Sequence, residues 1–192
     1  MLVYSKYIKR GLDIVLSLAA IVILSVPMFI VIIITHIDSD GSAIFVQRRS
    51  GLHRKPFSIL KFRSMSIQMH PATPTSSMED VVLTKWQSWM RKNSVDELPQ
   101  LFNILRGDMS LVGPRPVLCE ETDLLDERDR YGANDVKPGL TGWAQINGRD
   151  ELDYHTKARL DGEYANNISF LFDMRCLLST FDKVIKKHNI KH

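Results

Sequence analysis

Cysteine is scarce in this sequence. Among 192 residues only Cys119 and Cys176 occur, far apart and outside any CxxC spacing, so the sequence predicts neither a disulfide framework nor a zinc site. The six histidines show no metal-ligand spacing either. We therefore expect the soluble part of the chain to work in a reducing, cytosolic setting.

Other familiar signatures are also absent. The sequence contains no P-loop and no GxGxxG motif, which leaves GTPase-like and dinucleotide-binding functions without support. No order of Ser, His and Asp residues marks a hydrolase triad. The 25 basic and 22 acidic residues give a net charge of only +3, too little by itself to predict a nucleic-acid partner. Lys and Arg cluster locally, however, which fits a phosphate-rich partner or an anionic membrane surface.

One long stretch has no charge at all. Residues 14–34 are uncharged and mostly apolar, which is about the length that crosses a hydrocarbon core roughly 30 Å thick. A cleaved signal peptide fits poorly, because the apolar run is too long and no small-residue cleavage site follows it. We predict a membrane-anchoring segment in residues 1–40 and one compact domain in residues 41–192.

The topology of this anchor has two solutions. Basic residues, which favour the cytoplasmic side of a membrane, flank the apolar run on both sides; they are Lys6, Lys9, Arg10, Arg48, Arg49 and Arg54. In the middle of the run, Pro27 removes one helical hydrogen bond and Ser25 offers a hydroxyl to a freed carbonyl, which permits a bent helix. A re-entrant hairpin keeps both flanks on one side, whereas a kinked spanning helix sends one flank across. The residues alone favour neither solution.

The soluble domain is predicted to be mixed α+β and mainly helical. Residues 43–47 and 56–62 are short β-favouring runs around a basic, Gly-containing turn, which indicates a small hairpin. Residues 70–80 are rich in Pro, Ser and Thr and predict a mobile loop. Residues 81–92 have apolar side chains at helical spacing and predict an amphipathic helix.

The rest of the domain is predicted as loops and one long helix. Segments 113–116 and 137–142 are rich in Gly and Pro, without a helical or strand period, and predict rigid loops. Such loops suit a backbone that comes close to a ligand, although a purely structural explanation is nearly as good. Residues 168–190 predict a basic amphipathic helix, which either lies on a membrane surface or packs on the core.

Asp96 and Glu97 are the acidic pair that stands out. The pattern from Ser94 to Glu97 is that of a capping box, so a helix is expected to start near Val95 and to end before Gly107. Adjacent carboxylates on a helix point about 100° apart, so they do not face each other like the pair of a glycosidase. Acidic residues in a first helical turn can also simply complement the helix dipole. Spacing alone leaves a helix cap and an active site as alternatives.

Five basic residues lie beside turns or helix ends, where they could surround a diphosphate. They are Lys61, Arg63, Arg91, Arg115 and Arg149. A carboxylate that attacks phosphorus needs such cations, because they neutralise the phosphate charge. Each residue taken singly is more often a solvated surface charge, so only their joint occurrence carries weight.

Four motifs occur in one order along the chain. They are KFRSM at residues 61–65, DELPQL at 96–101, GDMSLVGPRP at 107–116 and KPGLTGWAQINGR at 137–149. This arrangement closely resembles the bacterial sugar transferase family, the monotopic phosphoglycosyl transferases. The similarity runs from about residue 6 to residue 190, which is nearly the whole chain.

The resemblance implies a reaction and roles for residues. The family transfers a phosphosugar from a UDP-sugar to undecaprenyl phosphate, releases UMP and uses Mg²⁺. Asp96 corresponds to the family's nucleophile, which forms a covalent phosphosugar intermediate. Glu97 corresponds to the glutamate that assists metal binding, so these two carboxylates are the expected metal site. The five basic residues are the expected contacts to the donor or lipid phosphates.

The resemblance also implies a location. Family members have a re-entrant membrane helix broken at a Ser-Pro pair, which favours the hairpin, although Val26 separates Ser25 from Pro27 here. This chain resembles the small form, with an anchor and a catalytic domain on the cytoplasmic face of the bacterial inner membrane. Its expected partners are the UDP-sugar, undecaprenyl phosphate and membrane lipids, with no nucleic acid, and a homodimer is left open. Its expected place is the first membrane step of glycoconjugate synthesis, and the sequence does not name the sugar.

Two other functions remain as alternatives. One is a membrane-tethered scaffold in which Asp96 and Glu97 only cap a helix, although the completeness of the four motifs argues against it. The other is a glycosyltransferase that passes the sugar without its phosphate. Such an enzyme would release UDP, whereas phosphosugar transfer releases UMP.

Overall fold

The protein combines one long apolar helix with a mixed domain of short helices and two small sheets. A computed structural model describes residues 4–39, 41–65, 83–148 and 151–189. The loop predicted at residues 70–80 lies outside the described residues, and so does Arg149. The mixed helix and strand composition confirms the α+β prediction.

Helix α1 (Lys9–Asp38) follows a π-helical turn at Tyr4–Ile8. It is long and apolar enough to cross a membrane, which confirms the predicted apolar element. The helix runs on through Pro27. Ser25 Oγ donates to the carbonyl of Val22 at 2.8 Å, and not to the carbonyl of residue 23 that Pro27 leaves without its helical donor. A re-entrant bend at this position therefore stays a prediction.

One face of α1 is buried along its whole length. The buried residues recur at helical spacing and are Asp13, Ser17, Met28, Val31 and Thr35, with Ala20, Ile21 and Leu24 also packed on the core. Apolar side chains on the other faces are exposed. The rest of the protein therefore lies alongside α1 from one end to the other.

Polar contacts hold both ends of α1 against the domain. At the start, the buried carboxylate of Asp173 accepts hydrogen bonds from Tyr4 at 2.6 Å and from Lys9 at 2.7 Å. At the end, Asp38 accepts hydrogen bonds from Thr84 at 2.9 Å and from Gln87 at 3.2 Å. The helix is therefore fastened to one and the same domain at both termini.

The predicted hairpin is confirmed. Strands β1 (Ile44–Ser50) and β2 (Pro56–Phe62) pair antiparallel, with Gln47 opposite Ile59. β1 runs three residues further than the sequence predicted, because Arg48 to Ser50 continue the pairing with the start of β2. Lys61 lies near the end of β2, next to the buried core residue Phe62.

The helix predicted at residues 81–92 is observed as α2 (Lys85–Lys92), and residues 81–82 lie outside the described residues. Thr84 caps it, because its side chain accepts from the backbone of Gln87 while the Gln87 side chain accepts from the Thr84 nitrogen. The capping box of this region is therefore at Thr84.

The prediction of a capped helix starting near Val95 is wrong in detail. Val95–Glu97 form a single 3-10 turn, and α3 runs from Gln100 to Arg106. Pro99 has no N–H to donate to the carbonyl of Val95, so the α-helical ladder cannot begin before it. Ser94 has a left-handed backbone (φ 55°) and makes no capping hydrogen bond. The predicted end is confirmed, since Gly107 (φ 95°) terminates α3.

Residues 113–116 form a loop as predicted, whereas the second predicted loop, residues 137–142, contains a short strand. Strands β3 (Ser110–Val112) and β4 (Gly139–Thr141) are parallel, and Gly113 donates to Thr141 at 2.9 Å just beyond them. A Cβ atom at Gly113 would collide with the carbonyl oxygen of Lys137, and one at Gly142 would collide with the carbonyl oxygen of Gly113. These glycines are explained by the close approach of two backbones, so the structural explanation is the one observed.

The remaining helices complete the domain. They are α4 (Thr122–Arg130), α5 (Trp143–Ile146), α6 (Tyr154–Asn166) and α7 (Phe170–Asn189). α4 packs on α6, and buried Arg128 of α4 donates to buried Asp161 of α6 at 2.9 and 2.6 Å. This closed ion pair fixes the two helices to each other.

α7 confirms the predicted terminal helix and has two apolar faces. Cys176 is fully buried in the core, whereas Leu171, Leu178 and Phe181 are exposed. Packing on the core therefore explains only one face of this helix. The other presents apolar side chains to the surroundings, as a helix at a membrane surface would.

Candidate active site

Asp96 and Glu97 lie in the 3-10 turn between α2 and α3. Asp96 is half-buried, and Glu97 is buried with 8% of its surface exposed. Glu97 does not complete a capping box, because Ser94 has the wrong backbone conformation for a cap and makes no capping bond. The capping role that the sequence left open for Glu97 is therefore excluded.

Two cations converge on one oxygen of Glu97. The ammonium of Lys61 lies 3.1 Å from Oε1, and Nη2 of Arg115 lies 3.2 Å from the same atom. Lys61 comes from the end of β2, and Arg115 follows β3. Three segments that are distant in sequence therefore meet at this carboxylate, as the predicted cluster of cations around the acidic pair required.

Asn103 holds two of these segments together. Its side chain is fully buried in α3, where Oδ1 accepts from the backbone of Leu60 at 2.9 Å and Nδ2 donates to the carbonyl of Ser58 at 2.8 Å. β2 is therefore fastened to the helix that follows the acidic turn. These two hydrogen bonds fix the backbone next to Lys61, from which the lysine side chain reaches Glu97.

Burial controls the charges of the cluster. Burial raises the pKa of Asp96, and the neighbouring Lys61 cation partly opposes that rise. Burial lowers the pKa of Lys61, and the carboxylate of Glu97 partly opposes that fall. Both groups thus titrate nearer to neutrality than the same side chains in water, which is a common property of active-site groups.

The other three predicted basic residues differ in position. Arg91 acts on Asp96 electrostatically, since its charge lowers the pKa of that carboxyl against the effect of burial. Arg63 donates to the carbonyl of Ser42 at 2.7 Å, on the hairpin side of the site. Arg149 lies outside the described residues. The structure therefore brings Lys61, Arg91 and Arg115 together around the acidic pair.

A cavity of about 180 Å³ adjoins Arg115, and the sequence motifs did not reveal most of its lining. Arg49 from β1, Gln145 from α5 and Lys157 from α6 contribute polar groups. Arg49 had counted only as a basic flank of the membrane segment. The alternation of side chains between the two faces of β1 could have identified Arg49, because it puts Arg49 on the half-buried face and Arg48 on the exposed face.

The acidic pair also suits a magnesium ion. Within the described residues, no three or more His, Cys, Asp and Glu side chains form a cluster that could hold a metal alone. Mg²⁺ commonly needs less, because one or two carboxylates bind it while waters and substrate phosphates complete its six positions. Asp96 and Glu97 meet this smaller requirement, and they are the residues that would hold the ion.

Comparison with known proteins shows the family of this chain. The model of the bacterial sugar transferase family matches residues 4–187. The sugar transferase EpsL of Bacillus subtilis is 39% identical over 184 residues, which are 96% of this chain and 90% of EpsL. That relative has nearly the same length as this chain.

Longer relatives match over the same region. The undecaprenyl-phosphate galactose phosphotransferase of Salmonella typhimurium is 35% identical, covering 95% of this chain and 41% of the relative. The UDP-glucose:undecaprenyl-phosphate glucose-1-phosphate transferase of Escherichia coli is also 35% identical, covering 93% and 40%. The chain spans less than half the length of these two proteins. It belongs to the bacterial sugar transferase family and is an enzyme of the phosphoglycosyl transferase class.

Proposed function

We propose that the protein transfers a phosphosugar from a UDP-sugar to undecaprenyl phosphate and releases UMP. The observation that carries this proposal is the convergence of Lys61 and Arg115 beside the carboxylates of Asp96 and Glu97. A diphosphate that enters this site meets cations and a nucleophile at the same place. The names of the Salmonella typhimurium and Escherichia coli relatives support the lipid acceptor, and the second name supports the UDP-sugar donor.

The first step is attack by Asp96. A carboxylate oxygen of Asp96 forms a bond to the phosphorus next to the sugar, and the bond from that phosphorus to the bridging oxygen breaks. The electron pair leaves with that oxygen, so UMP departs and the phosphosugar remains on Asp96 as an acyl phosphate. In the second step an oxygen of undecaprenyl phosphate attacks the same phosphorus. The carboxylate of Asp96 is then the leaving group and is regenerated.

The surrounding residues orient and neutralise the reactants. Lys61 and Arg115 hold Glu97 and present positive charge to the diphosphate, while Arg91 keeps Asp96 more ionised than burial alone would allow. The half-buried setting strengthens these charge interactions relative to water. Mg²⁺ held by Asp96 and Glu97 would supply further positive charge to the phosphate oxygens.

We propose that the enzyme lies at the cytoplasmic face of the bacterial inner membrane with α1 as a re-entrant helix. α1 contacts the domain from Asp13 to Thr35, so a helix perpendicular to the membrane would draw the domain into the hydrocarbon core. Such burial is costly for a polar domain. Exposed apolar side chains on α1, α2 and α7 offer a surface for lipid; they include Val22, Ile23, Phe29, Trp89, Leu171, Leu178 and Phe181.

Release of UMP is the measurement that tests the reaction. The purified protein is incubated with undecaprenyl phosphate, Mg²⁺ and each member of a panel of UDP-sugars. We expect UMP from at least one donor, with continued turnover only when the lipid is present. Without lipid, one equivalent of UMP per enzyme should appear, because the phosphosugar stays on Asp96. Release of UDP would instead identify a glycosyltransferase, and a donor panel that yields no nucleotide would contradict the proposal.

A further inference from the structure

The cavity beside Arg115 has the charge of an anion-binding site. Four basic and two acidic side chains line it. Arg128 and Asp161 neutralise each other in the buried ion pair between α4 and α6. The second carboxylate, Glu121, accepts from the backbone of Leu118 at 2.9 Å and lies 3.9 Å from Arg49. The cavity therefore keeps an excess of positive charge.

Arg49 is held in place at the wall of this cavity. Its Nε and Nη2 both donate to Oε1 of Gln47, at 3.1 and 2.7 Å, so the guanidinium is fixed in one orientation. Burial and then the charge of Arg115 lower the pKa of Arg49. A guanidinium nevertheless stays protonated in proteins. Two arginine cations thus adjoin each other here. Each already lies beside one carboxylate, Glu121 at 3.9 Å from Arg49 and Glu97 at 3.2 Å from Arg115, and a bound anion would lower their mutual repulsion further.

The remainder of the lining suits a polar organic group. Oε1 of Gln145 is buried and has no hydrogen-bond partner among the described residues, while its Nε2 donates to Leu140 at 3.1 Å. A buried acceptor without a donor is costly, and a ligand N–H or O–H can satisfy it. Apolar side chains form the opposite wall; they are Pro116, Val117, Leu124 and Ala144.

The size of the cavity limits what it can hold. At about 180 Å³ it is smaller than the roughly 300 to 1,000 Å³ of pockets that enclose whole drug-sized ligands. A complete UDP-sugar would exceed it, whereas one part of such a donor fits. Arg115 lines the cavity and also contacts Glu97, so the part that enters is attached to the phosphate at the acidic pair.

The position of the cavity favours a water-soluble ligand. β1, α4, α5 and α6 supply much of its lining, and none of the described residues that line it belongs to α1 or α7. Among the described residues between 103 and 153, none is an exposed large hydrophobic side chain. Most of the exposed large apolar side chains lie on α1 and α7 instead, and a lipid would reach that side.

We propose that this cavity binds the nucleoside monophosphate that leaves in the first step, with Arg49 and Lys157 as ligands of its phosphate. The proposal rests on the proposed function, because the donor defines the leaving group. When the bond to the bridging oxygen breaks, the departing phosphate gains a negative charge. Cations that already face its position stabilise this charge as it develops. Gln145 lines the same cavity, so its side chain is placed to contact the nucleoside.

Binding of UMP to the full-length protein in detergent tests the assignment. Arg49→Gln should weaken UMP binding by roughly tenfold or more, the effect expected for a lost hydrogen bond to a charged group. Lys157→Gln, at a half-exposed position, should weaken it several-fold. Matched controls are Arg48→Gln and Arg159→Gln, which remove the same charge from exposed neighbours. Both controls should bind UMP as the wild type does.

Two further measurements, with uridine and with the lipid acceptor, show which phosphate the cavity binds. Binding of uridine, which lacks the phosphate, should not respond to Arg49→Gln. In steady-state assays the KM for the UDP-sugar should rise while the KM for undecaprenyl phosphate stays constant. The opposite pattern would assign the cavity to the lipid phosphate and overturn the inference. Unchanged UMP affinity in both variants, or no UMP binding by the wild type, would overturn it as well.

Failure of the reaction itself would look different. If the wild type releases UMP from a UDP-sugar but the two variants retain UMP affinity, the assignment of the cavity is wrong and the reaction stands. If no UDP-sugar yields UMP, the reaction is wrong. Even then, the UMP affinities of the two variants show whether the cavity binds UMP.

Discussion

The carboxylate of Asp13, inside the apolar helix α1, accepts a hydrogen bond from the backbone nitrogen of Leu111 at 3.0 Å. Leu111 is the central residue of β3, which leads directly into Gly113 and Arg115. Asp13 is only 4% exposed, so the contact is shielded from water. α1 therefore supports the strand that precedes Arg115, a cation of the candidate active site.

Removal of this carboxylate should destabilise the domain. Asp13→Ala leaves the Leu111 nitrogen without its acceptor, and we expect a loss of about 1–3 kcal/mol in the free energy of unfolding. Asp13→Asn keeps an acceptor oxygen and should lose less. Thermal unfolding in detergent measures both. Equal stability of the wild type and Asp13→Ala would show that water replaces the contact without cost.

Asp96→Asn should abolish turnover while the protein stays folded and membrane-bound. An amide retains the shape of the side chain but is a very poor nucleophile, so UMP release should fall by roughly 1,000-fold or more. Asp123→Asn, an exposed change of the same kind on α4, is the control and should leave the rate intact. UMP release at the wild-type rate by Asp96→Asn would remove the assignment of the nucleophile.

Chelation of divalent cations should stop the reaction reversibly. Two phosphates and a carboxylate repel one another strongly in a half-buried site, and Mg²⁺ at Asp96 and Glu97 supplies the missing counter-charge. Addition of EDTA should remove UMP release, and an excess of Mg²⁺ should restore it. If turnover persists after exhaustive chelation, Lys61 and the arginines suffice and the metal assignment is wrong.

The two perturbed groups predict the pH profile. Asp96 must be ionised to attack, and burial raises its pKa as long as no cation is bound, so at low Mg²⁺ concentration kcat/KM should fall at acidic pH sooner than for an ordinary aspartate. Lys61 must be protonated to hold charge, and burial lowers its pKa, so activity should fall at alkaline pH sooner than for an ordinary lysine. Lys61→Arg should move only the alkaline limb to higher pH, because a guanidinium keeps its proton. If the alkaline limb does not move in Lys61→Arg, the titration of another group causes that limb.

Cysteine labelling should reveal the topology of α1. Single cysteines near Ser5 and near Glu151, with Cys119 and Cys176 replaced by alanine, should both resist an impermeant thiol reagent in intact cells. Both should react after lysis. Labelling of the first position alone from outside would identify a spanning helix.

Pro27→Leu should shift the anchor toward a spanning form. Leucine restores a helical hydrogen bond and removes the clash of the proline ring with the preceding turn. The cysteine near Ser5 should then become accessible from outside in part of the molecules. If it stays protected, the contacts of Asp13 and Asp38 with the domain hold α1 on one side without help from Pro27.

Local signals predicted the elements that have a strong period or a clear turn. The apolar run of α1, the hairpin around the Gly51 turn and the amphipathic helices α2 and α7 are all observed. The acidic pair and its cations also followed from motifs. The parallel pair of β3 and β4 did not, because each strand has three residues and shows no alternation. The start of α3 differs from the prediction because the prediction followed the capping pattern at Ser94, whereas Pro99 prevents an α-helix from starting there.

The sequence by itself determined the apolar anchor, the family and the residues that surround Asp96, since each depends on residue types in a short stretch of chain. Only the tertiary structure decided which side chains meet. Arg115, which follows β3, meets Glu97, and Asn103 binds the backbone next to Lys61, which meets the same carboxylate. Arg49 and Lys157, more than a hundred residues apart, line one cavity. Such contacts depend on how buried faces pack, which no local pattern encodes.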